Sequence, residues 1–301
     1  MKNENAMVPV DELNLPESEL FTWVDHNDLE SEKITAPRYS YWRSVFRVFF
    51  KKKINIVILV IFAVILAFAY IYPSFSNYDR FQNLMVEGTK HLSPAAAMEK
   101  LGYNIHWIFG SGAAGQSTFD AVWHGSRISI SMAFVCAVIN MTVGIVIGAI
   151  WGFSKKVDIV MTEIYNIIGN VPYILFISVL VLIFSAGFWT MVFALTITGW
   201  LGIAYFIRTQ VIIIRDREYN LASRCLGTGT FRIITRNLLP YLVSVITLRM
   251  ALSIPGAIGS EVFITYIGLG LPVSIPSLGN LINVGRKLLA TSASYQLVFP
   301  T

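Results

Sequence analysis

Residues 54–72 have the sequence INIVILVIFAVILAFAYIY, in which Asn55 is the only strongly polar residue. As an α-helix these 19 residues would extend about 28 Å, close to the thickness of the hydrocarbon core of a bilayer. A cleaved signal peptide would have a shorter apolar core, and it would not follow 53 residues of preceding chain. The stretch therefore predicts an uncleaved transmembrane helix.

Four further apolar runs are long enough to cross a bilayer as helices, at residues 128–153, 159–184, 188–207 and 241–267. The chain of 301 residues is 55% hydrophobic and only 14% charged, which excludes an ordinary soluble domain. The runs do not alternate apolar and polar residues as the strands of a membrane barrel do. The sequence predicts an all-α integral membrane protein in which five spans are visible.

The placement of lysine and arginine predicts the orientation of the chain. Residues 33–53 contain seven basic residues and no acid, and residues 208–236 contain six arginines. The loop of residues 73–125 contains only three basic residues. By the positive-inside rule, the N-terminus and the loop of residues 208–240 are cytoplasmic. The loop of residues 73–127 is then extracellular.

The chain before the first span divides into two parts. The first 32 residues carry nine acids against one base, Lys2, which is typical of a solvated tail. Residues 38–53 mix aromatic residues with arginine and lysine, a pattern typical of a helix lying at the headgroup level. We predict an acidic cytoplasmic tail over residues 1–37, an interfacial amphipathic basic segment over residues 38–53 and a transmembrane domain over residues 54–301.

No motif for catalysis or cofactor binding is found in the sequence. The nearest approach to a nucleotide-binding loop is GSGAAGQS at residues 110–117, where Gln116 occupies the position that requires lysine. The four histidines lack the spacing of metal ligands, and neither cysteine nor any serine lies in a nucleophile motif. The net charge of +5 comes from residues beside the apolar spans, which argues against nucleic-acid binding. We expect no catalytic residue, no metal site and no cofactor bound by this chain.

Polar residues inside the predicted spans are candidates for a translocation pathway. Glu261 would cost about 2.5–3.5 kcal/mol if it faced lipid near the bilayer centre, so it should face protein or a water-filled passage. Arg249 precedes it by 12 residues, about 18 Å along a helix, which is too far for the two to pair within one helix. Asn166 and Asn170, before a predicted kink at Pro172, are further candidates. A structural role between helices is the alternative for these residues.

Small residues in the second span predict close helix packing. Gly144, Gly148 and Gly152 follow one another at four-residue spacing and therefore share one helix face. A neighbouring helix backbone can approach such a face closely. The neighbour could belong to this chain or to a partner subunit.

The basic segment between the last two spans contains Ala222, Gly227 and the pair Leu239-Pro240. Their spacing resembles that of the EAA loop of binding-protein-dependent ABC importer permeases. The family pattern is Glu-Ala-Ala, three residues, Gly, nine residues and Ile-x-Leu-Pro. Four residues of this chain agree with the pattern: Ala222, Gly227, Leu239 and Pro240. Three depart from it: Leu221, Ser223 and Asn237. Residues 106–110, 125–129, 268–270 and 276–279 resemble the oligopeptide and dipeptide permeases, closest to the C-type subunit that includes the Ami-type permeases.

The resemblance implies a fold, a function and a set of partners. The fold is a type I ABC importer transmembrane domain, and the function is to form half of the pathway of an ATP-driven peptide importer in the bacterial plasma membrane. The partners are a second homologous permease subunit, two cytoplasmic ATP-binding subunits that hydrolyse ATP with magnesium, and an extracellular substrate-binding lipoprotein. Peptide is the implied substrate, and lipid surrounds the spans. Such subunits have six spans, so the sixth is expected to be missing from these 301 residues.

The resemblance also implies which residues couple the chain to the ATPases. The glycines of the loop of residues 208–240 would allow a sharp turn between two short helices. Apolar side chains of the loop would fill a cleft of the ATPase, and its arginines would meet acidic groups at the rim of that cleft. The implied coupling residues are Glu218, Tyr219, Leu221, Ala222, Ser223, Gly227, Gly229, Leu239 and Pro240.

Two other functions remain as alternatives. An ion-coupled secondary transporter would need buried ionisable pairs and internal repeats, and this sequence shows no repeat. A membrane sensor or assembly subunit without transport activity would need neither. Association with a pair of ATPases would separate the importer from both alternatives.

Overall fold

The computed structural model describes residues 41–76, 88–291 and 293–300. Helices dominate these residues, and the described chain forms no β-strand beyond an isolated antiparallel bridge between Ser111 and Ser117. A 3₁₀-helix (Ile105–Trp107) and a π-helix (Ile234–Leu238) accompany the α-helices. The α-helices are α1 (Tyr41–Lys51), α2 (Lys53–Phe75), α3 (Pro94–Leu101), α4 (Thr118–Phe153), α5 (Lys155–Gly169), α6 (Tyr173–Phe184), α7 (Phe188–Ile197), α8 (Gly199–Arg215), α9 (Glu218–Cys225), α10 (Thr230–Ile233), α11 (Leu239–Tyr241), α12 (Val243–Tyr266), α13 (Leu278–Arg286) and α14 (Tyr295–Val298).

Four helical stretches of the described chain are long and apolar enough to cross a membrane: α2, α4, α7 with α8, and α12. The bent pair α5 and α6 makes a fifth if it forms one broken span. This confirms the predicted all-α membrane fold. Helix α4 begins ten residues before the predicted apolar run, because Ser117 caps it: the Ser117 hydroxyl oxygen accepts a hydrogen bond from the Asp120 backbone N–H at 3.0 Å.

The predicted span over residues 159–184 is not one straight helix. It divides into α5 and α6, whose axes meet at 76°. The break lies at Pro172, which has no backbone N–H to donate and restricts the conformation of Val171 before it. The kink predicted at Pro172 is confirmed, and its size is that of a broken span or a re-entrant loop.

The described chain divides into two compact units, the first ending at Val60 and the second beginning at Ile61. In the first unit, α1 carries aromatic side chains at four-residue spacing. The ring centroids of Trp42 and Phe46 lie 6.3 Å apart, and those of Phe46 and Phe50 lie 6.4 Å apart. Arg43 and Arg47 follow the same four-residue spacing one position later. The helix is therefore amphipathic.

The second unit is organised around the packing of α4 against α8. A Cβ atom on Gly144 would stand 2.7 Å from the Ile203 side chain, and one on Gly148 would collide with the backbone carbonyl of Ala204. Gly152 likewise faces α8 without room for a Cβ atom. The predicted close approach at this glycine face is confirmed, and the neighbouring helix belongs to the chain itself.

Two polar contacts support these helices. Arg208 of α8 donates a hydrogen bond from Nε to Asp158 of α5 at 2.5 Å. At the start of α4, the buried Asp120 carboxylate accepts hydrogen bonds from the Tyr72 hydroxyl and contacts His106 Nδ1 at 2.8 Å. The second cluster joins the end of α2 to the segment before α4.

Candidate functional site

The short helix α9 lies between two membrane-spanning helices, and its sequence explains how it ends. Gly227 has a φ of +78°, a left-handed conformation that side chains other than glycine adopt at a cost. It closes a Schellman motif, in which the Gly227 N–H donates to the Arg224 carbonyl at 2.9 Å and the Thr228 N–H donates to the Ser223 carbonyl at 3.0 Å. The agreement with the family pattern at Gly227 therefore has a conformational cause.

Gly229 does not have the same requirement. Its φ of −64° and ψ of 147° are accessible to any residue, and a Cβ atom there would meet nothing within 4 Å. The expectation is that the two glycines allow the sharp turn, and the conformation of Gly229 does not call on this freedom. Only Gly227 adopts a backbone conformation that favours glycine.

Asn220 anchors α9 to the rest of the fold. It is fully buried, whereas most other residues of α9 are exposed, and its side-chain amide donates to the Ile214 carbonyl at 2.8 Å. Its side-chain oxygen accepts a hydrogen bond from the Asn237 amide at 3.2 Å. Asn220 is not among the residues predicted from the sequence, although an asparagine inside a helix is a polar residue that often needs a specific partner.

Two residues that depart from the family pattern contact each other. The Asn237 amide donates to the Ser223 hydroxyl oxygen at 3.4 Å, in addition to its bond with Asn220. The pattern has alanine and isoleucine at these two positions, an apolar pair. In this chain a polar pair connects α9 to the π-helix.

Apolar side chains of the loop face away from the protein. Tyr219 is 48% exposed, Leu221 44%, Leu226 86% and Phe231 79%. Exposed apolar groups on a helix between membrane spans are suited to contact another protein. Of the predicted coupling residues, two are half-buried, Ser223 and Leu239. The others are exposed, namely Glu218, Tyr219, Leu221, Ala222, Gly227, Gly229 and Pro240.

The arginines of the loop divide into two groups. Arg215 donates a hydrogen bond from Nη1 to the Gly152 carbonyl at 2.7 Å, which satisfies a free carbonyl at the C-terminal end of α4. Arg224 lies over the Phe153 ring at 4.7 Å. These two side chains hold the loop against the end of α4, whereas three others are exposed: Arg217, Arg232 and Arg236.

A cavity of about 300 Å³ lies between α4, the α7–α8 region and α12. Arg249 and Ser253 line its α12 side, together with Gly256 and Ser260. Asn140 of α4 lines the opposite wall. The α12 residues recur at three- and four-residue intervals and therefore form one face of that helix.

The four predicted pathway residues do not come together. Arg249 lines the cavity, with its guanidinium 4.4 Å from the Phe206 ring centroid. Glu261 is buried, where its carboxylate accepts hydrogen bonds from the Ser129 hydroxyl at 3.0 Å and the Thr265 hydroxyl at 3.1 Å.

The remaining two pathway candidates, Asn166 and Asn170, are exposed at the C-terminal end of α5, where the Asn170 amide donates to the Asn166 carbonyl at 2.8 Å. The pathway role of all four residues stays a prediction.

Glu261 connects three helices. Ser129, which donates to the Glu261 carboxylate, belongs to α4 and also accepts a hydrogen bond from the Leu278 N–H at the start of α13 at 3.1 Å. A Cβ atom on Gly279 would stand 2.9 Å from the Glu261 carboxyl oxygen, so the first turn of α13 lies against this side chain. A carboxylate at a helix N-terminus interacts favourably with the helix dipole.

Comparison with known proteins gives consistent matches over most of the chain. Residues 144–299 match the family described as "Binding-protein-dependent transport system inner membrane component". Residues 40–94 match the family described as "N-terminal TM domain of oligopeptide transport permease C".

Individual relatives agree with the family matches. The chain is 44% identical to the oligopeptide transport system permease protein AmiD of Streptococcus pneumoniae, over 92% of this chain and 88% of the relative. It is 32% identical to the oligopeptide transport system permease protein OppC of Bacillus subtilis, over 95% and 90%. It is 31% identical to the dipeptide transport system permease protein DppC of Bacillus subtilis, over 94% and 85%.

Proposed function

The chain belongs to the family of inner membrane components of binding-protein-dependent transport systems, in its oligopeptide and dipeptide permease branch, and from this membership we propose that it forms half of the pathway of an ATP-driven peptide importer. In this proposal, an extracellular substrate-binding lipoprotein delivers the peptide and a second homologous permease subunit completes the passage. Two cytoplasmic ATP-binding subunits hydrolyse ATP with magnesium. The chain itself supplies its half of the membrane passage and the contact that receives their movement.

The observation that carries the proposal is the anchored helix α9 with its exposed apolar side chains. Tyr219 and Leu221 project from a helix whose base is tied down by Asn220 and whose end is closed by the turn at Gly227. A partner that binds this helix therefore moves a rigid element rather than a flexible loop. We assign its contact surface to a cleft of the ATP-binding subunit, with Arg217, Arg232 and Arg236 meeting acidic groups at the rim.

The position of α9 along the chain suggests how that movement reaches the passage. The loop joins α8 to α12, and residues of both helices line the cavity. A displacement of α9 therefore acts on two walls of the cavity together. Alternating access requires such a rigid connection between ATP occupancy and a helix arrangement with two stable states.

The uncovered face of α12 supports its assignment to the passage. No residue in the most apolar 18-residue stretch of this helix is buried inside the chain. Arg249 is among its exposed residues. A charged side chain facing lipid is costly, so residues of this type face a protein partner or a water-filled cavity. We place α12 along the passage, against the second permease subunit.

The membrane orientation is also part of the proposal. We assign the acidic tail of residues 1–37, which lies outside the described residues, and the loop of residues 208–240 to the cytoplasm. Helix α1, amphipathic and rich in arginine, would lie at the membrane surface within the interfacial segment of residues 38–53. The loop of residues 73–127 would then face outwards, where the binding protein docks.

Reconstitution tests this function directly. The chain is co-expressed with the second permease subunit and both ATP-binding subunits, purified through a tag on this chain and inserted into liposomes. We expect the four subunits to purify together and a labelled tetrapeptide to enter the liposomes only with the binding protein and ATP. A control complex whose ATPases cannot hydrolyse ATP should give no uptake. Uptake driven by an ion gradient without ATPases, or failure of the subunits to associate, would overturn the proposal.

A further inference from the structure

We infer that the cavity between α4, α8 and α12 binds the carboxylate end of the peptide during passage, through Arg249 and Asn140. This inference rests on the proposed function, because it assigns a substrate-recognition role to that passage. It goes further by naming the part of the peptide that the passage recognises. The expected preference is for peptides with a free C-terminal carboxylate over peptides with an amidated C-terminus.

Arg249 supplies the positive charge. It is the only charged residue among those lining the cavity, and no carboxylate of the described residues forms an ion pair with it. The ring of Phe206 holds the guanidinium at 4.4 Å by a cation–π contact, which leaves its N–H groups available for an anion. A guanidinium in this environment pairs well with a carboxylate, because two parallel N–H groups match its two oxygens.

Asn140 supplies a hydrogen-bond acceptor on the opposite wall. Its side-chain oxygen is buried and has no hydrogen-bond partner in the described part of the chain. Gly199 leaves the space for this side chain, since a Cβ atom there would stand 2.6 Å from the Asn140 amide nitrogen. A buried unpaired amide oxygen is unfavourable unless a ligand or water completes its hydrogen bonding. Rotation of the Asn140 side chain, which lines the cavity, would bring this oxygen to a peptide N–H next to the carboxylate.

The two serines of the wall provide further acceptors. The Ser253 hydroxyl donates to the Met250 carbonyl at 2.8 Å, and the Ser260 hydroxyl donates to the Gly256 carbonyl at 2.9 Å. Each hydroxyl oxygen keeps lone pairs that can accept hydrogen bonds from a peptide. The wall thus offers one cation and several acceptors, which suits a carboxylate followed by backbone N–H groups.

The dimensions of the face are compatible with a short peptide. The eleven-residue separation of Arg249 and Ser260 along α12 corresponds to about 16 Å. An extended chain advances roughly 3.3–3.6 Å per residue, so about five residues would lie along this face. The carboxylate would occupy the Arg249 end, and the preceding peptide groups would follow the serine-lined face.

The test compares two peptides in the reconstituted four-subunit importer with one binding protein. The peptides are a labelled tetra-alanine with a free C-terminal carboxylate and the same peptide with a C-terminal amide. Arg249→Met removes the charge-assisted hydrogen bonds to the carboxylate and so weakens binding of the acid peptide. We therefore expect uptake of the acid peptide to fall by roughly tenfold. Uptake of the amide peptide should change little. The ratio of acid to amide uptake should therefore be lower in the variant than in the wild-type importer.

Matched variants separate recognition from folding. Arg286→Met removes another arginine that lies over an aromatic ring, that of Tyr266 at 4.2 Å, but outside the cavity, and it should leave the ratio unchanged. Arg249→Lys keeps the charge and should retain most of the preference. Asn140→Leu should lower uptake of both peptides without changing the ratio, since both carry backbone N–H groups. ATPase activity and thermal unfolding of each complex verify its assembly.

Each outcome has a defined meaning. An unchanged ratio of acid to amide uptake in Arg249→Met, whether uptake of both peptides falls equally or not at all, would overturn carboxylate recognition while leaving the proposed function intact. Absence of ATP-dependent uptake of either peptide by the wild-type complex would overturn the proposed function itself. Because every variant uses the same binding protein, the selectivity of that protein cancels in the comparison.

Discussion

The side-chain amide of Asn237 donates a hydrogen bond to the side-chain oxygen of Asn220 across 3.2 Å. The two residues are 17 positions apart and lie on opposite sides of the turn at Gly227. Through this bond the two arms of the loop behave as one unit, and the exposed face of α9 has a fixed position relative to α8. The rigidity that the proposed coupling would require therefore depends on an amide pair in which Asn220 is buried and Asn237 is half-buried.

Replacing Asn220 with alanine should loosen α9. The Ile214 carbonyl and the Asn237 amide would each lose one hydrogen bond, although the carbonyl keeps the Arg217 N–H and the amide keeps the Ser223 hydroxyl, so we expect a cost of about 0.5–1.5 kcal/mol for each bond lost. We expect faster hydrogen exchange over residues 218–225 and weaker co-purification of the ATP-binding subunits. Thr235→Ala is the control, because that hydroxyl bonds only to the Phe231 carbonyl of its own helical turn. Unchanged exchange in Asn220→Ala would contradict the anchoring role.

Alanine at the two glycines of the loop should have different effects. Gly227→Ala would hold an L-residue at a φ of +78°, which costs about 1–2 kcal/mol, and it should reduce peptide uptake per ATP hydrolysed. Gly229→Ala should leave this ratio unchanged, because its φ is −64° and the site is open. The ratio is measured in the reconstituted importer. Equal effects of both substitutions would show that backbone conformation is not the reason for Gly227.

The glycine face of α4 predicts a second contrast. Gly148→Ala places a Cβ atom against the Ala204 carbonyl, so we expect a loss of about 1–3 kcal/mol from overpacking. Gly202→Ala, on α8 with nothing within 4 Å, should be neutral or should stabilise by up to about 1 kcal/mol through helix propensity. Thermal unfolding of the purified subunit complex in detergent measures both. A higher unfolding temperature for Gly148→Ala would contradict the packing.

Glu261 offers a test of the two roles considered for it. Glu261→Ala removes the acceptor for the Ser129 and Thr265 hydroxyls, which should lower stability by about 1–3 kcal/mol and reduce the amount of assembled complex. Transport per assembled complex should remain near the wild-type value if the residue connects helices. Thr247→Ala, whose hydroxyl bonds only within its own helix, is the control. A selective loss of transport with unchanged stability would instead favour a pathway role.

The sequence by itself determined the class of fold. In lipid, backbone groups must bond within their own segment, so apolar runs of about 20 residues imply helices irrespective of their neighbours. Local chemistry likewise predicted the kink at Pro172 and the close approach at Gly148, because both depend on what one residue lacks. The spacing of Ala222, Gly227 and the Leu239–Pro240 pair indicated the family, because a spacing along the chain is read from the sequence without knowledge of the fold.

Only the tertiary structure decided which polar groups are buried and what they contact. Helical periodicity shows which residues share a face, but it does not show what lies opposite that face. Glu261 meets Ser129 across 132 positions of sequence, and Arg215 reaches the Gly152 carbonyl across 63. The burial of Asn220 and the position of Arg249 in a cavity are decided in the same way. These contacts depend on helices that the chain brings together only when it folds.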